Sequence, residues 1–443
     1  MIDLIFPNRS FEELRTSLLK SNLETCTLLY TKVIERSRGK RLLINGIQQV
    51  PEDAYSRRSP VTAQLHPNFI APIIKKAEAQ RLGLVFVHTH PHADGHVHFS
   101  ATDDEGEFKI DRFLKDRAPS QIHASLVIGR DSVAARVIGP GEKIRVIEVG
   151  SRFRILSDDG NILSDEGIYD RQVRAFGPTG QSALKRIRVG IVGLGGTGSV
   201  IGQLLAHLGV EDYLLIDPDV IETSNLNRLI GGRVNDVGSF KVDVAARNVQ
   251  EIRNEARITK IRGSVLDASV ARSLTDSDFF FCCTDSHASR AVLNQLTYQY
   301  FLPSIDVGVS ISASELRVSH VTGRVQMLAP GLACLTCLGL LNADAIRHEF
   351  MTPERRNADP YFTGNGGPQP AVISLNSTMA SLGITMFLGA VTGIPAESRY
   401  QIYNGITGNV RSVTSSVDPI CIVCSKRGAL GRGNEWPLPA RLK

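Results

Sequence analysis

The apolar and polar positions of this chain change rhythm several times, and each rhythm predicts an element. From about Pro67 to Gln80, Phe69, Ile70, Ile73, Ile74 and Ala77 recur at the spacing of one helical face, which predicts a helix with a core-facing stripe. Leu84 to Val87 follows as a short unbroken apolar run, the pattern of a buried strand. Farther along, Val189 to Gly193 reads as a strand, Ile201, Leu204, Leu205 and Leu208 share one helical face, and Tyr213 to Asp217 reads as a second strand. Phe279 to Cys283 is another apolar strand. Strand, helix and strand in that order predict a parallel sheet, because parallel neighbours need a crossover connection. Residues 149–166 are polar, with paired Gly and Asp, and read as a linker. The expected organisation is therefore a domain over 1–148, a linker over 149–166 and a second domain over 167–443. No internal repeat or low-complexity tract interrupts it.

A chain of 443 residues exceeds one hydrophobic core, which agrees with more than one domain. The formal charge is only +5, and the basic clusters at Arg36 to Arg41 and Lys185 to Arg188 are short. Nucleic-acid binding needs a concentrated basic face, so no such partner is expected. The apolar runs, such as Phe279 to Cys283 and Gly383 to Val391, fall short of the roughly 18 to 20 residues of a bilayer helix, and no membrane partner is expected either. With no secretory leader legible, a cytoplasmic location with reduced thiols is the expectation. Four of the seven cysteines form two CxxC pairs, Cys334/Cys337 and Cys421/Cys424. Two such hooks supply the four thiolates of a closed, structural zinc site, which staples and does not catalyse. Cys26, Cys282 and Cys283 sit in apolar surroundings and read as buried small hydrophobes.

The run Leu84 to Val87 ends in His88-Thr89-His90-Pro91, and alternation along a strand puts both imidazoles on one face. A third metal ligand is offered by Asp103 in Ser100-Ala101-Thr102-Asp103, and three protein ligands with one open position make a hydrolytic zinc site. Glu24, just before an apolar strand, is placed to reach across the sheet as a base. This pattern of an upstream Glu, HxHP and SxxD resembles the JAMM (MPN-type) metalloprotease family. The resemblance implies that His88, His90 and Asp103 bind a catalytic zinc, that Glu24 takes the proton of the attacking water and that Ser100 steadies the developing oxyanion. It implies an α/β metalloprotease domain over 1–148 that cleaves after the terminal glycine of ubiquitin-like proteins. The segment between His90 and Ser100 (PHADGHVHF) is about one residue longer than the family spacing and carries His92, His96 and His98. One of these replacing Asp103, or a histidine-rich surface turn, are the open alternatives.

In the second domain, Gly193-Leu194-Gly195-Gly196-Thr197-Gly198 follows a strand and opens a helix, the pattern of a pyrophosphate pocket. Asp217, ending the next strand, suits a ribose of either NAD or ATP. Asn225-Leu226-Asn227-Arg228, Lys241 and Thr284-Asp285 then array cations and a carboxylate along the same edge, which a triphosphate needs and a dehydrogenase does not. From Tyr169-Asp170-Arg171-Gln172 to Cys424 these residues resemble, in order, the adenylating domain of the ThiF, MoeB and ubiquitin-activating family. The fold it implies is a Rossmann-like doubly wound parallel sheet with the four-cysteine zinc site. It implies that Gly193, Gly195, Gly196 and Gly198 lie under the phosphates of ATP, Asp217 holds the ribose, and Asn225, Arg228 and Lys241 grip the phosphates. Asp285 would hold magnesium, and Arg171 would reach into the partner subunit of a homodimer.

The region Leu338 to Ile420 contains no cysteine to take over an acyl group, and Ala343 to Pro370 reads as a mobile loop. An acceptor cysteine would then come from a conjugating enzyme. The combined expectation is a bifunctional enzyme that adenylates the C-terminal glycine of a ubiquitin-like protein and cleaves (iso)peptide bonds beyond it. One alternative directs the same chemistry to a sulfur-carrier protein for thiamin, molybdopterin or cysteine synthesis; another is a silent scaffold that binds the tail.

Overall fold

The computed structural model describes residues 1–93, 95–119, 121–157, 167–314, 317–352, 355 and 370–441. Two compact units are present: Met1–Asn161 with Gly431–Trp436, and Ile162–Leu430 with Pro437–Lys443.

The first unit runs β1 (Ile2–Pro7), α1 (Ser10–Leu18), β2 (Cys26–Arg36), β3 (Gly39–Gln49), β4 (Tyr55–Ser59), β5 (Thr62–Leu65), α2 (Pro67–Ala79), β6 (Gly83–Thr89), α3 (Ala101–Arg117), β7 (Ala124–Ile128), β8 (Val133–Val137), β9 (Lys143–Val149) and β10 (Phe153–Ile155). Its main sheet has the order β1-β3-β2-β6-β7-β8-β9-β10, and β1 also pairs in parallel with β9, so the sheet closes on itself. Period-two alternation divides the side chains between two cores. Leu29, Val85 and Val87 point into the interior with Leu4, Phe6 and Leu126, while Leu28, Tyr30 and Leu84 meet α2 and α3 through Ile73, Ile74, Ala77 and Leu114. The expected helix and strand are thus found as α2 and β6, and β6 reads as unbroken apolar because both its faces are covered. The expected linker is partly structured: Phe153–Ile155 pairs with β9, a strand too short and too polar to show a periodicity. Residues 158–166 of that stretch lie outside the described residues.

Where β1 meets its two parallel neighbours, Asp3 is fully buried among Arg36, Arg41 and Arg145. Burial alone would raise its carboxyl, but the Arg145 contact and the charges of Arg36 and Arg41 outweigh this and lower it to about 2. A depressed native pKa contributes stability above the unfolded value and loses it as pH falls through the native one, so about 2 kcal/mol should vanish between roughly pH 4 and pH 2. Asp3→Asn should flatten that dependence, read as the urea midpoint against pH by the fluorescence of Trp436, the chain's single tryptophan, which groups with this unit.

The second unit runs α4 (Asp170–Arg186), β11 (Arg188–Val192), α5 (Gly196–His207), β12 (Asp212–Ile216), α6 (Lys241–Ile252), β13 (Arg257–Ile261), α7 (Ala268–Ser273), β14 (Phe279–Cys282), α8 (His287–Gln299), β15 (Ser304–Ser314), β16 (Arg317–Leu328), α9 (Ala343–Phe350), α10 (Ile373–Val391), β17 (Tyr400–Asn404) and β18 (Asn409–Ser412). The sheet order is β13-β12-β11-β14-β15-β16-β17-β18. Five strands from β13 to β15 are parallel, as expected, but β16, β17 and β18 continue the sheet antiparallel, so it is mixed. Chain order reverses between β11 and β14, which makes their carboxyl ends the switch point where such sheets bind ligands.

Two further differences have physical causes. Part of the expected loop from Ala343 is α9, capped by Asn342, whose side chain accepts from the Ala345 N–H at 2.8 Å, with Asp344 in its first turn and Arg347 and His348 in its last. It buries none of its residues, so no apolar stripe marks it in the sequence. Arg356, Asn357 and Gly364 to Gly367 of the expected loop lie outside the described residues. Ile373–Val391, α10, is the one described helix long and apolar enough by length and composition to cross a bilayer. Half of its apolar window is buried, and it packs against α5, β15 and β16 as a core helix.

Candidate active sites

In the first unit, β2 and β6 pair antiparallel with Cys26 opposite His88. The pairing is extended by Thr25 and Thr89, which exchange hydrogen bonds: the Thr25 N–H donates to Thr89 Oγ1 at 2.9 Å and the Thr89 N–H to the Thr25 carbonyl at 3.1 Å. One step beyond, Glu24 is only 7 % exposed, with its carboxylate Oε1 3.7 Å from His90 Nε2. Ser100 caps α3 through a capping box, and the box turns Asp103 toward the histidines. His88 and His90 Nε2 lie 3.2 Å apart, and Asp103 oxygens stand 3.1 Å from the first and 3.6 Å from the second. Ligands on a tetrahedral zinc with bonds near 2.0 to 2.1 Å are spaced about 3.3 Å, so this donor set fits that ion.

The electrostatics follow from these contacts. Burial raises the Glu24 carboxyl, against the opposing pull of His88 and His90. The hydrogen bond to Asp103 raises His90. Burial alone would raise Asp103, but hydrogen bonds to His88, His90 and Ser100 hold it well below the usual carboxylate range. Ser100, expected at the oxyanion, donates its hydroxyl to Asp103 Oδ2 at 2.8 Å and so orients that carboxylate. Of the extra histidines, His92 is held by the Asn22 carbonyl at 3.0 Å, and His96 and His98 are exposed. The sequence gives no hint of Arg136 on β8. Its guanidinium lies 3.9 Å from the centre of the Phe99 ring, bonds Asp104 at 2.6 Å and grips Glu107, while Phe99 meets the His88 ring edge-on. Arg136 thereby fixes both the histidine loop and the start of α3.

In the second unit the glycine turn sits at the switch point. Gly193 has φ +87°, and a Cβ there would meet the Cys283 carbonyl at 2.8 Å, so the close approach of β11's end to β14's end requires glycine. A Cβ on Gly198 would run into the Gly193 carbonyl, whereas nothing lies within 4 Å of one on Gly195. Gly195 begins α5 with no side-chain cap, which leaves the first-turn amides to an outside anion.

Asp217, 4 % exposed, accepts from the Leu194 N–H at 2.6 Å and the Asp219 N–H at 2.8 Å, tying the turn to the end of β12. Burial raises its carboxyl, while the Leu194 amide and Lys241 pull the other way. Lys241 opens α6 and pairs with Asp219 at 2.7 Å, a partner that the sequence did not single out. Arg228 stands over Gly196 with its guanidinium on the Ser224 carbonyl at 2.6 Å, and the Asn225 side chain accepts from the Glu222 N–H at 3.2 Å. Asp285 is exposed just past β14, and Arg171 is exposed in the first turn of α4. Glu349 on α9 accepts from the His287 and Ala288 amides at 3.2 and 2.7 Å, which pins α9 to the start of α8 beside Asp285. Cys282 and Cys283 are desolvated thiols, pushed up to about 12 for Cys282 and well above the ordinary value for Cys283, which keeps them protonated.

Cys334 Sγ lies 3.6 Å from those of Cys337 and Cys421, and Cys337 Sγ lies 3.3 Å from that of Cys424. Four sulfurs around a tetrahedral zinc with bonds near 2.3 Å are spaced about 3.8 Å, so the cluster fits a structural zinc. Amide N–H groups of Cys337 and Val423 donate to Cys334 and Cys421 Sγ at 3.3 and 3.4 Å, as suits thiolates.

Residues 169–422 match the ThiF family. The chain belongs to the ThiF family. This member is 30 % identical over 270 residues to the molybdopterin-synthase adenylyltransferase of Escherichia coli K12, a match spanning 60 % of this chain and 99 % of that protein. It is 28 % identical over 268 residues to the adenylyltransferase and sulfurtransferase MOCS3 of Caenorhabditis briggsae, covering 59 % of this chain and 61 % of the relative. It is 34 % identical over 170 residues to ubiquitin-like modifier-activating enzyme 5 of Oryza sativa subsp. japonica, covering 34 % of this chain and 38 % of that one. Among solved structures, E. coli MccB with MccA-N7isoASN aligns at TM-score 0.49 and 16 % identity over 91 % of this chain and all of the other.

Proposed function

We propose that this ThiF-family chain is an ATP-dependent adenylyltransferase that activates the C-terminal glycine of a small sulfur-carrier protein. The observation that carries the reading is the uncapped start of α5 at the switch point, with Arg228 over Gly196 and Lys241 paired with Asp219, whose backbone N–H donates to Asp217. Two of the three relatives named above are by name enzymes of molybdopterin synthesis or sulfur transfer, which favours a sulfur carrier over the ubiquitin-like modifier first expected. The lack of a cysteine from Leu338 to Ile420, with Cys283 held protonated, favours an acceptor sulfur from outside the chain, whether a sulfur donor or a conjugating enzyme.

A carboxylate is a poor acyl electrophile, so its oxygen attacks the α-phosphorus of ATP and pyrophosphate leaves; the product is an acyl-adenylate. In this reading the α5 amides, Arg228 and Lys241 take up charge on the phosphates, Asn225 braces the turn that carries Arg228, and Asp217 fixes the glycine turn against the ribose. Asp285 would hold magnesium, which when bound supplies charge neutralisation on the triphosphate. Arg171, exposed at the start of α4, would complete the site of a second subunit in a cytoplasmic homodimer.

The first unit supports a second activity, a JAMM-type metallopeptidase. Its motive is the convergence of His88, His90 and Asp103 with the buried Glu24 beside them. Zinc, when bound there, polarises the scissile carbonyl and activates water. Glu24 accepts the proton, and the Ser100–Asp103 capping box and Arg136 hold the ligand set in place. Cleavage after the terminal glycine would expose the carboxylate that the second unit activates.

The test is ATP–pyrophosphate exchange with a glycine-ended carrier protein and with the same carrier lacking its last two residues. Exchange is expected with the first alone. Equal exchange with both, or none with either across a panel of such carriers, would remove the reading.

A further inference from the structure

One buried polar side chain near the glycine turn has no role in the chemistry above. Asn376 sits in the first turn of α10 and is 5 % exposed. Carboxamides in such buried surroundings are normally hydrogen-bonded. Its Nδ2 faces the glycine turn. A Cβ built on Gly196 would run into Asn376 Nδ2 and would meet Arg228 Cδ at 3.4 Å. An amide donor from α10 and the stem of a guanidinium therefore converge on one point of the first turn of α5, where the uncapped N–H groups favour an anion.

We propose that Asn376 is a nucleotide-positioning residue whose Nδ2 donates to a phosphate oxygen of ATP at the start of α5. The inference rests on the adenylation reading and adds a contact from the far end of the chain. A neutral donor suits this place: it adds a hydrogen bond to the phosphate beside Arg228 without a second cation that would compete for the same oxygens. It also couples α10, which packs on α5 and β15, to the occupied state of the turn.

The experiment measures the affinity of the full-length protein for ATP and for adenosine, which has no phosphate, in the wild type, Asn376→Leu and Asn376→Asp. Leucine is close in shape and should keep α10 packed, which thermal unfolding checks. Loss of a hydrogen bond to a charged group should weaken ATP binding about 10- to 100-fold in Asn376→Leu. Asn376→Asp, which sets a carboxylate against the phosphates, should lose more. Adenosine affinity should stay within about twofold in both, since the adenosine half makes none of these contacts. Wild-type ATP affinity in both variants, or equal proportional losses for ATP and adenosine, would overturn the proposal. A wild type that binds adenosine but gains nothing from the phosphates would bring down the adenylation reading as well.

Discussion

Replacing Lys241 by alanine is expected to lower carrier-dependent ATP–pyrophosphate exchange by about 10²- to 10³-fold, the cost of removing one preorganised charge from a site where charge develops. The side chain is well placed for that role. Lys241 opens α6, its backbone N–H is fixed by the Asp219 carbonyl at 3.0 Å, and its ammonium rests on the Asp219 carboxylate at 2.7 Å. Asp219 is itself linked to Asp217 through its backbone N–H, so the lysine belongs to the same hydrogen-bonded unit as the glycine turn. Removing it leaves the exposed Asp219 solvated, so the fold should persist and the loss should be in turnover. Lys241→Arg should recover part of the activity, because it restores the charge with a different geometry. Exchange within about twofold of wild type in Lys241→Ala would show that this ammonium does not meet the phosphates.

Glu24→Gln is expected to reduce cleavage of a fusion placed after the carrier's terminal glycine by about 10²- to 10⁴-fold, the range for a positioned general base. Zinc content should not change. Glu24 lies 3.7 Å from His90, is buried, and has its proton affinity raised by that burial, so the neighbouring groups favour a carboxylate that accepts a proton. Glutamine keeps the shape and removes the basicity. His88, His90 and Asp103, the proposed ligands, are held by β6 and by the α3 capping box, neither of which depends on the Glu24 charge. Full cleavage by Glu24→Gln would assign the base to another group; loss of zinc together with cleavage would make Glu24 a ligand.

Local patterns were legible wherever a short segment buries a repeating face. The stripe from Phe69 to Ala77 predicted α2 because helical spacing sets which residues meet the core, and the apolar run Leu84 to Val87 marked β6. The glycines were legible for a steric reason that a sequence preserves: Gly193 and Gly198 stand where a side chain has no room. Segments without a buried face were not. α9 buries nothing, β10 is three residues long, and the antiparallel continuation from β16 to β18 depends on pairing partners more than on composition.

By itself the sequence determined which chemistries are available: two histidines and a carboxylate at one strand end, four thiolates in two hooks, and a glycine turn followed by cations. Each set is local, or repeats a spacing that one element imposes. Only the tertiary structure decided which groups meet. Glu24 reaches His90 because β2 and β6 pair in one register, Ser100 is spent on Asp103 because it caps α3, and Asn376 arrives at Gly196 because α10 packs on α5. Contacts between residues far apart along the chain are fixed by sheet register and helix packing, which minimise the whole molecule's exposed apolar surface and leave no mark in any short stretch of sequence.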